Sequence, residues 1–295
     1  MAGRDGYVPV RSGEVHKRFG YNWFPGEPPI NTDLKQKNLP EGPCAMEGRQ
    51  MGELEMSNMY SDTKTWNPAV GCNYDCVYCE KSFKRQLRRV AAHIGCQDCY
   101  DYKPHYHPER LRRIPSSPIV FVYGTGDITF YDPDFMRRTF AAIYAHKPRI
   151  KKTYYFQSKN PSVFNFYLDW FNGNQDKVIL LTTLETNRDE GYGGISKAPF
   201  PTTRFHDFLD LEYPRKVVTI EPVLDFDPEI FLRWMRLLKD QGTLEYVWFG
   251  FDSKNCGLPE PSTEKAQRFV DELQAYGIEV RGKNLRDVSL VTFKR

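Results

Sequence analysis

No apolar run in this 295-residue chain approaches the ~20 residues needed to cross a membrane. The opening Met-Ala-Gly-Arg-Asp-Gly lacks the apolar segment of a signal peptide. A cytoplasmic protein with no membrane partner is therefore expected. Nor does one sign of charge dominate: 41 Lys and Arg stand against 38 Asp and Glu, a net charge of +3. Nucleic-acid binding would have to come from local basic patches rather than the overall balance. No repeat of a solenoid kind is visible. Disulfides are not expected either, because seven cysteines in a cytosolic chain point to metal or redox chemistry. What the chain does have is apolar material: 40% hydrophobic and 15% aromatic residues, enough for a sizeable core.

Punctuation divides the sequence. Residues 1–60 carry Pro25-Gly26-Glu27-Pro28-Pro29 and Pro40-Glu41-Gly42-Pro43 and little periodicity, so an N-terminal extension is expected, wrapping a folded body or partly mobile. Residues 61–295 form the body. Seven short β-rich runs lie near 62–67, 118–123, 152–157, 178–183, 216–221, 244–250 and 278–281, most of them continuously apolar, as in Ile119-Val120-Phe121-Val122-Tyr123. Such runs suit a parallel sheet covered on both faces. Helical segments alternate with them, started by Asp132-Pro133, Asn160-Pro161 and Asp227-Pro228 and stopped near Gly242 and Gly277. The predicted fold class is α/β, a partial (β/α) TIM-like barrel of mainly parallel strands, with its site at the C-terminal strand ends.

The cysteines cluster. Cys72, Cys76 and Cys79 are spaced C-x3-C-x2-C just past the first predicted strand. Structural zinc takes four protein ligands, whereas a 4Fe–4S cubane can be held by three cysteines if its fourth iron serves something else. A competing arrangement, C-x2-C-x16-C-x2-C from Cys76, Cys79, Cys96 and Cys99, fits a zinc pattern and would make the segment a zinc-binding nucleic-acid module. The strongly helical stretch between the two pairs, from about Glu80 to Ile94, argues against a zinc ribbon. Cys96 and Cys99 could instead join His105 and His107 in a second metal site, either zinc or an auxiliary cluster that would also draw in Cys44, or stay an unliganded reduced pair. That helix should bury Phe83, Leu87, Val90 and Ile94. Its Lys84, Arg85, Arg88 and Arg89 are either a solvated face or a patch for a phosphate-bearing substrate or an electron-donor protein.

The phrase Gly71-Cys72-Asn73-Tyr74-Asp75-Cys76-Val77-Tyr78-Cys79, with its aromatic residue before the third cysteine, resembles the signature of the radical S-adenosylmethionine (radical SAM) superfamily. The strand-end phrases and His107-Pro108-Glu109-Arg110-Leu111 resemble a phage- and archaea-associated subset distantly related to spore photoproduct lyase, over roughly residues 60–285. The resemblance implies a 4Fe–4S cluster on Cys72, Cys76 and Cys79, its fourth iron chelating S-adenosylmethionine. It further implies reductive cleavage of that cofactor and hydrogen-atom abstraction from substrate. Tyr78 would lie beside the adenine. Gly124-Thr125-Gly126-Asp127, in place of the superfamily's Gly-Gly-Glu, would meet the methionine amino group. Lys159 would neutralise the methionine carboxylate or a substrate anion, Ser158 would contact the cofactor, Glu185 and Asn187 would meet its ribose and methionine portions, and Glu221 would meet substrate or cofactor. Cys256 would donate a hydrogen atom, and the glycine-containing loop at Gly191, Gly193 and Gly194 would act as a lid. An electron donor such as flavodoxin or ferredoxin is implied. The substrate stays open between a nucleic-acid base or lesion and a peptide or small metabolite.

Overall fold

In the computed structural model, residues 63–283 are described; the N-terminal extension and Cys44 lie outside them. The chain enters through β1 (Thr63–Trp66), and six further strands follow in sequence order: β4 (Ile119–Val122), β5 (Thr153–Gln157), β6 (Val178–Thr183), β7 (Lys216–Ile220), β8 (Leu244–Gly250) and β9 (Val280–Lys283). Each pairs in parallel with the next, giving one seven-stranded sheet whose spatial order is the order of the chain. The seven runs read from the sequence are these strands, with ends shifted by up to two residues. β1 and β9 form its two edges among the described residues.

Side-chain alternation explains why the inner runs are so largely apolar. Val120, Val122, Tyr154, Phe156, Leu180, Val218, Ile220, Val247 and Phe249 point to one face and pack with Phe140, Phe205, Phe231 and Phe269 from the surrounding helices. Their neighbours Phe121, Tyr155, Ile179, Leu181, Val217, Tyr246 and Trp248 form a separate cluster on the other face. Both faces are dry, as expected of a parallel sheet. The second face is concave: the Tyr246 hydroxyl donates to the Tyr155 hydroxyl at 3.1 Å, spanning β6 and β7. The sheet is therefore a partial barrel with its inner wall lined by side chains.

The connecting helices follow the proline and cap signals unevenly. Asp132 caps the helix Pro133–Ala145, its carboxylate accepting from the Asp134 amide at 2.7 Å. Asp132→Ala should cost about 1 kcal/mol in chemical denaturation, the usual effect of losing such a cap; an unchanged midpoint would show that the cap contributes nothing. Asp227 makes no such cap. Its carboxylate pairs with Arg188 at 2.5 Å instead.

Two local features depart from expectation. A two-residue ribbon, β2 (Ala69–Val70) with β3 (His105–Tyr106), runs antiparallel beside the main sheet. The helix expected from about Glu80 starts as a 3-10 turn at Val77–Cys79 and a π turn at Glu80–Lys84, becoming an α-helix only at Arg85–Ile94. Leu87 is buried as expected, with Ala91 beside it and Phe83 packed against them, while Val90 is half-buried and Ile94 exposed. Gly95, in a left-handed conformation, ends this helix with its amide bonded to the Ala91 carbonyl.

Candidate functional site

The cysteine loop is clasped from two sides by backbone. Its first residue, Gly71, has φ +94°, and a Cβ there would sit 2.0 Å from the Lys103 carbonyl oxygen, so the position requires glycine. The Gly71 amide donates to the Thr125 carbonyl at 3.1 Å, and Gly71 and Gly126 form an isolated parallel bridge. The turn after β4 is thus bonded directly to the loop after β1. Tyr131 bolts the junction by donating to the Gly71 carbonyl at 3.1 Å, and a Cβ on Gly126 would strike that hydroxyl at 1.7 Å. Gly126 therefore answers to close packing between two loops, whereas a Cβ on Gly124 would press on the Thr65 side chain of β1 at 2.8 Å.

The other side is held by the loop after β6. Val77 donates to the Ile195 carbonyl at 2.9 Å, and Lys197 donates to the Tyr74 carbonyl at 2.7 Å. The Ser196 hydroxyl lies 3.1 Å from the Cys76 sulfur. Expected as a lid, this glycine-containing loop backs the cysteines, with Tyr192, Ser196 and Ala198 buried. The three thiols differ. A hydrogen bond from Cys79 holds the Cys76 thiol below its usual pKa against the opposing effect of burial, with Lys159 and Ser196 adding to it. Burial raises Cys72, with the Asp127 carboxylate acting in the same direction.

Behind the cysteines lies an ion network centred on two fully buried residues, Glu185 and Arg204. Glu185, at the end of β6, has 0% exposure. It accepts from the Tyr78 hydroxyl at 2.5 Å, from Tyr192 at 3.1 Å and from Arg204 at 2.8 Å, and it pairs with the Lys159 ammonium. Burial opposes its ionisation, but Arg204 and Lys159 outweigh that and pull its carboxyl down to about 2. Arg204, on the helix Pro201–Leu209, is equally buried and lies over the Tyr192 ring at 4.9 Å. No sequence signal marks it, since Pro201-Thr202-Thr203-Arg204 reads as an ordinary helix start. Asp127 is satisfied by the Lys159 amide at 2.8 Å, the Thr129 amide at 3.0 Å and the Ser158 hydroxyl at 2.7 Å.

At the C-terminal ends of the strands these elements enclose a cavity of about 800 Å³. Cys72, Cys76, Cys79, Tyr78, Gly124, Thr125, Gly126, Asp127, Lys159 and Glu221 all line it. The Thr125 hydroxyl oxygen in its wall is buried without a hydrogen-bond partner. Glu221 accepts from the Trp248 indole at 2.7 Å. Ser158, Glu185, Asn187 and Cys256 are not among the lining residues. Ser158 and Glu185 lie behind the wall, holding Asp127 and Lys159. Asn187 exchanges two hydrogen bonds with the Asp227 backbone, at 2.9 and 3.1 Å. Cys256 packs against the group of Tyr74, Cys76, Tyr78 and Ala198. The basic helix face divides: Lys84 pairs with Asp75 and Arg88 with Glu80, while Arg85 and Arg89, with Lys81 and Lys254, line the cavity.

The remaining cysteines gather elsewhere. The donor atoms of Cys96, Cys99, His105 and His107 all lie within 4.8 Å of one another. The arrangement of Cys76 and Cys79 with Cys96 and Cys99 about one zinc does not form. The two histidines complete the second group, and Cys76 and Cys79 stand with Cys72 at the cavity.

No protein-family model matches the chain, and no curated protein matches it. Among solved structures it is similar to spore photoproduct lyase complexed with dinucleoside spore photoproduct. The TM-score is 0.42 at 14% identity, covering 76% of this chain and 62% of that one. It is also similar to native anSMEcpe with bound AdoMet and Cp18Cys peptide, at a TM-score of 0.40 and 10% identity over 74% and 63% of the two chains. The chain thus spans a little under two thirds of the length of each.

Proposed function

We propose that the chain is a radical SAM enzyme. Cys72, Cys76 and Cys79 would hold a 4Fe–4S cluster, and S-adenosylmethionine would occupy the cavity beside it. The observation that carries the reading is that all three cysteines of the C-x3-C-x2-C loop line one cavity at the C-terminal ends of a parallel partial barrel. The donor set fits the group, because three thiolates suit an iron–sulfur cluster and fall one short of closed zinc. The partnerless Thr125 hydroxyl in the wall fits a polar occupant.

Bound there, the cluster and S-adenosylmethionine would supply reductive cleavage of that cofactor and hydrogen-atom abstraction from substrate. The chain's own contribution is positioning and exclusion of water. Gly71 and Gly126 fix the cysteine loop against the Gly124–Asp127 turn. Lys159, held by Glu185, places a cation on the cavity wall where a carboxylate or phosphate would be met. Phe121 and Phe251 cover apolar parts of that wall. Lys81, Arg85, Arg89 and Lys254 favour a phosphate-bearing substrate, so a nucleic-acid base or lesion is the preferred substrate class. The electron would come from a donor such as flavodoxin or ferredoxin.

Anaerobic reconstitution should give a brown protein containing iron and sulfide that forms 5′-deoxyadenosine from S-adenosylmethionine and dithionite. Cys76→Ala should lose both the iron and the product. Wild-type protein that binds no iron, or forms no 5′-deoxyadenosine, refutes the reading. Oligonucleotide retention should fall steeply with salt, and a flat salt response would move the substrate to a peptide or small metabolite.

A further inference from the structure

The second cysteine–histidine group has the geometry of a closed single-ion site. The Cys96 sulfur lies 3.3 Å from His105 Nε2, the Cys99 sulfur lies 3.2 Å from both His105 Nε2 and His107 Nε2, and the two Nε2 atoms are 3.0 Å apart. Zn–S bonds of about 2.3 Å and Zn–N bonds of about 2.0–2.1 Å make a tetrahedron with edges of roughly 3.3–3.8 Å. The four donors approach that size around one point. Two irons of an auxiliary cluster would each take their own ligands and spread the donors apart.

The outer atoms of the histidines agree. His105 Nδ1 lies 2.8 Å from the Lys103 carbonyl, which can only accept, so Nδ1 carries the proton and Nε2 presents a lone pair to the two sulfurs. His107 Nδ1 faces the Glu109 carboxylate at 3.5 Å. A backbone carbonyl and a carboxylate behind the ligating imidazoles are the supports that orient metal-bound histidines. With their protons lost, two thiolates and two imidazole nitrogens converging within 4.8 Å of one another match the donor set of a single cation.

The site is also joined to the cysteine loop. His105 lies in β3, paired with Val70 of β2, and β2 runs straight into Gly71 and Cys72. The His107 amide donates to the Pro68 carbonyl at 2.6 Å, and the Cys72 amide donates to the Tyr102 carbonyl at 3.3 Å. Cys99 packs with Val70, Leu87, Ala91 and Tyr102, against which Cys72 also rests.

We propose that Cys96, Cys99, His105 and His107 bind one structural zinc ion, and that this ion fixes the segment 96–107 against which Cys72 is placed. The zinc site stands on its own residues; its effect on iron rests on the reading of Cys72, Cys76 and Cys79 given above. Metal analysis of anaerobically purified full-length protein tests both. Wild type and Cys76→Ala should each carry ~1 zinc per chain, as a four-ligand closed site would. Cys96→Ala and His105→Ala should carry less than about a tenth of that, given the strength of such sites. His105→Cys, which keeps a donor, should retain the ion, guarding against mere misfolding. Cobalt substituted into wild type should give intense tetrahedral visible bands with thiolate charge transfer. His105→Ala should also reconstitute with less iron than wild type. Zinc-free wild type, iron in this site when Cys72, Cys76 and Cys79 are all replaced, or zinc lost in Cys76→Ala but kept in Cys96→Ala would overturn the zinc site. Full iron uptake by a zinc-free His105→Ala would overturn the coupling. Zinc present with no iron anywhere would leave this site standing and remove the enzyme reading alone.

Discussion

Glu185→Ala is expected to destabilise the protein by about 3–5 kcal/mol, the usual result of removing one partner from a buried ion pair. The reason is charge balance in a dry place. Glu185 and Arg204 are both 0% exposed, and the Lys159 side chain is 13% exposed. One carboxylate thus serves two cations. Without it, Arg204 keeps only its bond to the Thr183 carbonyl and its contact with the Tyr192 ring, while its Nε and Nη2 already lack partners. Lys159 loses the attraction that holds its ammonium above its ordinary pKa in spite of burial. Glu185→Gln should cost less, because the amide oxygen still accepts. Adding Arg204→Met to Glu185→Gln should recover part of the loss, since the unpaired guanidinium is then gone.

The acid dependence follows from the same group. A carboxyl lowered from 4.5 to about 2 contributes stability in full above its unfolded value. That stability is lost as the pH falls through about 2, so the network should have no effect on the slope between pH 5 and 8. Urea unfolding of wild type and variants across pH 2–7 measures both effects. A Glu185→Ala midpoint within experimental error of wild type would show that the network is not a unit. Because Tyr78 and Lys159 line the cavity and both bond Glu185, binding there should weaken even in folded Glu185→Gln.

The five inner strands were legible because each is buried on both sides, and that burden shows as a largely apolar run, whereas the edge strands β1 and β9 carry polar residues. The cysteine loop and the Gly124–Asp127 turn were legible for a related reason: both follow strands, and that end of a barrel is where loops converge. What could not be read was which way a polar residue turns once its strand ends. Glu185 and Lys159 both follow strands, yet Lys159 faces the cavity and Glu185 backs it. The difference is made by Arg204, 19 residues further on, which Glu185 meets only in the fold. The π turn at Glu80–Lys84 leaves no mark in composition, so the irregular start of that helix could not be read, although its buried Leu87 could. The partners of Cys96 and Cys99 were ambiguous because two spacings fitted. A two-residue strand, too short to register as a pattern, brings His105 to them.

Gly71→Ala should have the second large effect, and it should act on three elements at once. At φ +94° a side chain costs about 1–2 kcal/mol from conformation alone. The added methyl would also stand 2.0 Å from the Lys103 oxygen, 2.3 Å from its carbonyl carbon and 2.6 Å from Pro104 nitrogen. All three are backbone atoms, so no rotamer change relieves the overlap. Either the loop or the segment 103–104 must move, and over-packing of this kind costs a further ~1–3 kcal/mol. A total of about 3 kcal/mol in chemical denaturation is expected. Movement of the loop strains the Gly71 amide bond to Thr125 and the Tyr131 bond to the Gly71 carbonyl. Movement of the other segment shifts Lys103, whose carbonyl orients His105. Gly95→Ala is the matched control. It is also left-handed, at φ +65°, but its Cβ would meet nothing within 4 Å, so it should show the conformational cost alone, about 1–2 kcal/mol. Thermal or urea unfolding of the two variants, with zinc and iron content measured on each, separates strain from collision. If Gly71→Ala were no worse than Gly95→Ala and kept both metals, the close approach of Lys103 to the cysteine loop would not hold in solution.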